Sequence, residues 1–234
     1  MARIAKIDNA LKKRLERRKI SRKVDARSKL IYFLIVCEGE KTEPNYFRAL
    51  GEKLPRNTVK LEIDGVGRNT IGLVNYAIWY RDNACRKFDR VWVVFDKDDF
   101  PDENFNAAIT KGSSNRINCA WTNEAFELWF LLHFQFVNSG LSREDYKGYL
   151  EREIKIRSKN TEYKYLKNDP NTFSILQTFG NQKQAIQWAK QLKQTYVDLR
   201  FSTHNPCTLV HELIEELLHP EEILKRLENY GNVK

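Results

Sequence analysis

Two acidic clusters, each closing an apolar run, are the residues of this chain best suited to chemistry. In YFLIVCEGEKTEPNYF, Tyr32 to Phe47, the apolar residues from Ile31 to Cys37 give way to Glu38, Gly39, Glu40, Lys41, Thr42 and Glu43. In VWVVFDKDD a second apolar run, Val91 to Phe95, gives way to Asp96, Lys97, Asp98 and Asp99. Crowded carboxylates repel one another unless a cation sits among them. An all-oxygen set of this kind suits Mg²⁺ or Mn²⁺ rather than zinc. Such ions usually meet a substrate phosphate, polarise it and activate a water or a sugar hydroxyl. If the strand continues through Asp98, alternation points Asp96 and Asp98 to one side and Lys97 to the other, so D-x-D offers two carboxylates to one ion. Gly39 would let backbone approach the substrate, and Lys41 would offset charge building on the phosphate.

These residues need elements to bring them together. Ile31–Cys37 and Val91–Phe95 read as strands buried on both faces. Val59, Leu61 and Ile63 alternate as a strand between them, and a fourth short strand is expected near Ile117–Trp121. Helical spacing follows each strand: from Pro44 through Leu50, from Ile71 to about Phe88, and through Phe105, Ala108 and Ile109. Strand–helix alternation over residues 31–121 predicts an α/β fold, a mainly parallel sheet with helices on both faces. Ligands in such sheets bind beyond the carboxyl ends of the strands, where Glu38 and Asp96 would meet although 58 residues separate them. NEAFELWFLLHF reads as a strongly apolar helix, and the remainder as helical, with long polar segments at 143–168 and helices near 182–198, 207–218 and 221–229. Trp79, Trp92, Trp121 and Trp129 fall in periodic apolar segments and read as core.

The net charge of +9 is confined to one place. Residues 1–30 hold twelve Lys or Arg against three Asp or Glu, and the rest of the chain carries 28 of each sign. Lys12, Lys13, Arg14, Arg17, Arg18, Lys19, Arg22 and Lys23 form a basic arm with few apolar residues, suited to nucleic-acid phosphates or to a solvated tail. Cys37, Cys85, Cys119 and Cys207 form no C-x-x-C pair, which speaks against a zinc ribbon or a disulfide framework. With no apolar run of roughly 20 residues and no signal-peptide pattern, the chain reads as soluble and cytoplasmic.

Other signals are weaker. HELIEELLH lacks the second histidine of a zinc protease, because position 215 is Glu. GVGRNT has Thr70 where a dinucleotide fingerprint needs a glycine, and reads as a turn or an anion-holding helix start. His133 reads as a core histidine, His204 and Asn205 as loop residues able to orient a substrate. The tyrosines of 146–165, interleaved with Lys and Arg, suit either base stacking or a solvated hairpin.

A Glu after the first strand with D-x-D after the third resembles the Toprim domain of topoisomerases, bacterial primases and OLD-family nucleases. The wording IVCEGEKTEPNYF, VVFDKDD, NEAFELWFLLHF and NPCTLVHELIEEL resembles more narrowly the RloB-like family, over most of residues 31–218. The resemblance implies a Toprim (Rossmann-like) fold: a basic arm at 1–30, a Toprim-like catalytic core at 31–140, and a helical insertion with C-terminal helices at 141–234. It implies a Mg²⁺-dependent nuclease acting on RNA, tRNA or DNA in abortive infection and anti-phage defence. Such proteins are often encoded beside an AAA/ABC-type ATPase (RloA-like), in loci resembling the AbiL and PARIS arrangements. It makes Glu38, Asp96 and Asp98 the catalytic, metal-binding set, matches Glu43 to a second acidic position, and points to Glu124 or Glu127 as a further carboxylate. A homo-oligomer is left open. A non-catalytic nucleic-acid or nucleotide-binding module is the competing reading. A primase or topoisomerase would need template-handling parts or a nucleophilic tyrosine on another domain.

Deleting residues 1–28 should weaken nucleic-acid binding and flatten its salt dependence, because fewer counterions are released, and the rest should still fold. Filter binding across a salt series checks this; an unchanged slope would mean the arm touches no phosphate.

Overall fold

A computed structural model describes residues 30–231 apart from 56 and 68, and of 226–231 only the backbone. The basic arm therefore lies outside the described residues. Strands β1 (Ile31–Cys37), β2 (Val59–Gly65), β3 (Arg90–Asp96), β4 (Asn118–Asn123) and β5 (Cys207–Thr208) form one sheet in the order β2-β1-β3-β4-β5. The first four run parallel and β5 is antiparallel to β4. The chain is thus α/β with a mainly parallel sheet, as the strand–helix alternation predicts.

The apolar runs of β1 and β3 are continuous because both faces of these strands are covered. Phe33, Ile35 and Cys37 enter one core, Leu34 and Val36 the other. On the first face lie α1 (Thr42–Gly51), α4 (Glu127–Leu131), α5 (Arg143–Ser158), α6 (Thr172–Phe179), α7 (Gln182–Gln194) and α8 (Val210–Leu218). On the second lie α2 (Thr70–Asn83) and α3 (Asp102–Ser114), whose Leu73, Val74, Ala77, Phe105 and Ala108 are buried. A final helix, α9, spans Pro220–Gly231. The described residues from Ile31 onward form one compact unit, so the segment after 140 is built onto the same sheet.

Several expectations are corrected. NEAFELWFLLHF is not one helix: β4 runs through Asn123 and only Glu127–Leu131 is α-helical. Its side chains from Ala125 to Phe134 are all buried, so the segment has no polar face to mark a period. Helix α2 stops at Asn83, short of Phe88, with Ala84 extended. Trp79 on that helix is 57% exposed rather than core. Helix α7 ends at Gln194, not 198, and Cys207–Thr208 is a strand rather than the start of a helix. Two residues are too few to show alternation; what fixes them is their pairing with Asn123 and Thr122 and the Thr122–Thr208 hydroxyl contact of 2.9 Å. Among the described residues no helix is long and apolar enough to cross a membrane.

Phe105 packs edge-on between Phe95 and Trp121, with ring centroids 5.5 and 5.6 Å away. Phe105→Ala should cost about 3–5 kcal/mol, whereas Trp79→Ala on the exposed face should cost under about 1 kcal/mol. Urea unfolding at neutral pH measures both.

Candidate active site

Parallel pairing of β1 with β3 sets Cys37 beside Val94, so both chains leave the sheet at one edge. The Glu38 N–H donates to the Val94 carbonyl at 2.9 Å, one residue past the strand. Its side chain then crosses to β3, where Oε2 accepts the Asp96 N–H at 3.2 Å. The chain turns through Gly39 to Lys41 and enters α1, which carries Glu43 in its first turn.

Glu43 is only 6% exposed and folds back against that turn. A Cβ on Gly39 would stand 2.3 Å from the Glu43 Oε2, so the carboxylate occupies this place only because position 39 has no side chain, and any other residue would make it shift. Gly65 at the end of β2 plays the matching part below: its Cβ would meet the Gly39 carbonyl oxygen at 2.6 Å. From the far side comes Glu127 of α4, also buried, whose Oε1 accepts the Tyr165 hydroxyl at 3.1 Å.

The electrostatics follow from this crowding in a poorly hydrated place. Burial, with the Glu43 and Asp98 charges, pushes the Glu38 carboxyl up to about 7, against the opposing Asp96 N–H and Arg143. Burial and the Glu127 charge raise Glu43, while the Gly39 and Glu43 backbones and Lys167 hold it back. Burial and the charges of Glu43, Glu127 and Glu38 raise Asp96 well above the usual carboxylate range, with the Phe126 N–H opposing. The Asp96 Oδ1 is buried with no hydrogen-bond partner among the described residues. These carboxylates are adapted to hold protons or a cation.

Asp98 behaves otherwise than strand alternation predicts. β3 ends at Asp96, and Asp98 adopts φ +41°, its N–H donating to the Glu124 carbonyl at 3.2 Å. Its carboxylate pairs with the Arg143 guanidinium at 2.5 Å. Lys97 bends over the turn to the Phe100 carbonyl at 2.6 Å and to Asp102 at 3.1 Å. Lys41 and Asp99 are exposed. Of the two later glutamates, Glu127 acts on Asp96 and Glu43, whereas the charge of Glu124 acts on Tyr146. Lys12, Lys13, Arg14, Arg17, Arg18, Lys19, Arg22 and Lys23 lie outside the described residues.

Three contributors went unread in the sequence. Arg143 follows Ser142, whose capping box with Asp145 starts α5. Burial works against its charge, but Asp98, Asp96 and Glu127 more than offset this and raise its pKa. Tyr165 braces Glu127, and Lys167 tempers Glu43 from a loop that Thr42 grips through Asn168 at 2.6 Å. Tyr146 and Tyr165 are buried and therefore cannot stack on bases. His133 is a core histidine bonded to the Trp129 carbonyl at 2.9 Å, its pKa lowered by burial to about 4. His204 is buried, stacked on Tyr196 and 3.0 Å from Asp198.

The donor types fit a hard divalent cation, and the unpartnered Asp96 oxygen supplies a free ligand atom. Even so, among the described residues no three His, Cys, Asp or Glu are arranged to hold a metal ion.

A family model described as RloB-like protein matches residues 33–217, and the chain belongs to the RloB-like family. No curated protein and no solved structure matches it.

Because the folded chain holds the Glu38 proton up to about pH 7, against an ordinary value of 4.5, this group's contribution has a defined sign. It is full below about 4.5, declines as pH rises, and is lost above about 7. Glu43 and Asp96 act in the same direction. Metal-free protein should therefore lose on the order of 2–3 kcal/mol through Glu38 between pH 5 and 8, and Glu38→Gln should lose less. Urea unfolding of both proteins across that range checks this; parallel profiles would mean Glu38 ionises freely.

Proposed function

We propose that this RloB-like chain is a Mg²⁺- or Mn²⁺-dependent nuclease that hydrolyses phosphodiester bonds in RNA, tRNA or DNA. The observation carrying this reading is the convergence of Glu38, Glu43, Asp96 and Glu127 at the carboxyl edge of the sheet, with an Asp96 oxygen left unpartnered among the described residues. In parallel sheets this edge is where ligands bind. Acids that repel one another there are well suited to a divalent ion.

Glu38 and Asp96 would hold the ion, with Asp98 and Glu127 as further ligands. When bound, it would polarise the scissile phosphate and activate water. Glu43 sits deeper, wedged against Gly39, and orients the Glu38 turn. Arg143, already beside Asp98, presents a guanidinium fork suited to phosphate oxygens. Lys41 at the exposed rim would meet the substrate backbone.

Family membership and the basic residues before position 30 support a wider role in anti-phage defence, with an AAA/ABC-type ATPase as partner. The competing reading, a non-catalytic nucleic-acid or nucleotide-binding module, draws on two observations. Asp98 is tied to Arg143, and no three acids among the described residues are arranged around an ion site.

Incubation of purified protein with labelled tRNA, single-stranded RNA and plasmid DNA, with and without Mg²⁺ or Mn²⁺, separates the two. Cleavage should require the metal and should fall by orders of magnitude in Asp96→Asn and in Glu38→Gln. The metal-free melting temperature of each variant should hold or rise, since one repelling charge is gone. Metal should raise the wild-type melting temperature more than theirs. Binding without cleavage, unaffected by metal, would establish the binding module instead.

A further inference from the structure

The edge strand farthest from β5, β2, carries charges at Lys60, Glu62 and Asp64, a usual guard against further pairing, yet keeps a long regular ladder. β2 pairs with β1 along its whole length, Val59 to Gly65, without a bulge or proline. Among the described residues nothing pairs with its outer side. Edge strands of this length commonly carry a device that prevents further pairing.

The ladder fixes which groups face outward. The Ile31 N–H donates to the Thr58 carbonyl and the Val66 N–H to the Cys37 carbonyl. In a parallel pair this phase commits residues 60, 62 and 64 to β1 and leaves the N–H and C=O of Leu61 and Ile63 pointing out of the sheet. Val59, Leu61 and Ile63 border an apolar groove of about 360 Å³, shared with Leu54 and Gly51 of the α1 side. Lys60, Glu62 and Asp64 face α2, where Tyr80 holds Glu62 and Tyr76 holds Asp64.

We propose that β2 docks against β2 of a second copy of this chain, antiparallel, with the two-fold axis at Leu61. A self-paired strand needs outward groups facing outward groups, so the axis passes through a residue position, Lys60, Leu61, Glu62 or Ile63, and not between two. At Leu61 the charges are complementary: Lys60 of each copy lies opposite Glu62 of the other, in the close, non-hydrogen-bonded position. Val59 and Ile63 meet beside the groove on the opposite face. At Lys60 or Glu62 that residue would oppose its own copy, and at Ile63 Glu62 would oppose Asp64, each a like-charge contact. The sequence of the strand therefore selects one register. The result is a ten-stranded sheet whose two acidic edges face in opposite directions.

Sedimentation velocity of the full chain tests this, at up to about 100 µM, above the micromolar range that interfaces of standard size reach. Wild type should dimerise. Lys60→Glu and Glu62→Lys should each weaken dimerisation at least about tenfold, because each turns both cross-strand pairs into like charges. Mixing the two variants should restore it, since one strand then presents carboxylates at both positions and the other presents ammonium groups at both. Leu61→Cys in a Cys85→Ser background should form an intermolecular disulfide on oxidation, because directly opposed residues lie about 5.5 Å apart at Cα; this keeps the test decisive if a charge variant fails to fold. A monomeric wild type, variants that dimerise normally, or a mixture no better than its parts would overturn the proposal.

Discussion

Mutual repulsion among buried acids is the constraint around which this end of the molecule is organised. Glu38, Glu43, Asp96 and Glu127 come from four different elements and meet where water is scarce. Each neighbouring feature relieves part of that repulsion. The Asp96 and Phe126 N–H groups donate to carboxylates, Tyr165 braces Glu127, and Lys167 faces Glu43. What they leave is a raised affinity for protons and an acceptor oxygen on Asp96 without a donor among the described residues. A site of this kind stays under tension until positive charge arrives.

The strand scaffold makes that tension tolerable. β1 is buried on both faces and hydrogen-bonded to β2 and β3, so the chain cannot drift away from the edge where the acids meet. The turn between β1 and α1 is pressed between Glu43 above and Gly65 below, with glycine at both contacts. Helix α5 and the loop after it then reach back over the edge, adding Arg143, Tyr165 and Lys167. The helical second half of the chain is therefore part of the acidic site as well as of the core.

Arg143 holds a particular place in this balance. It is paired with Asp98, and its charge also feels Asp96 and Glu127. A guanidinium here lowers the net charge of the acid cluster in the absence of any bound ion. The same group is of the type that binds phosphate in two-pronged fashion. Compensation and recognition would thus draw on one side chain, with Asp98 as the residue it must leave to serve the second purpose.

Much of this was legible from residue order alone. Strands covered on both faces must be apolar throughout, so Ile31–Cys37 and Val91–Phe95 announce themselves, and the first carboxylates beyond them, Glu38 and Asp96, must emerge together if the strands are parallel. The reading failed where local pattern gives way to long-range contact. Asp98 departs from strand alternation because β3 has already ended and the Glu124 carbonyl captures its N–H. The 123–134 segment hides its short helix because burial on every side erases periodicity, and Trp79 is exposed although its helix is apolar around it. β5 exists only through its pairing with β4. Arg143, Tyr165 and Lys167 sit in a stretch whose composition is that of any solvated helix and loop. The sequence by itself determined which carboxylates stand at the ends of buried strands, because burial constrains residue type locally. Only the tertiary structure decided which other groups surround them, because a charge in a dry site is governed by its neighbours in space, however far away they lie in the chain.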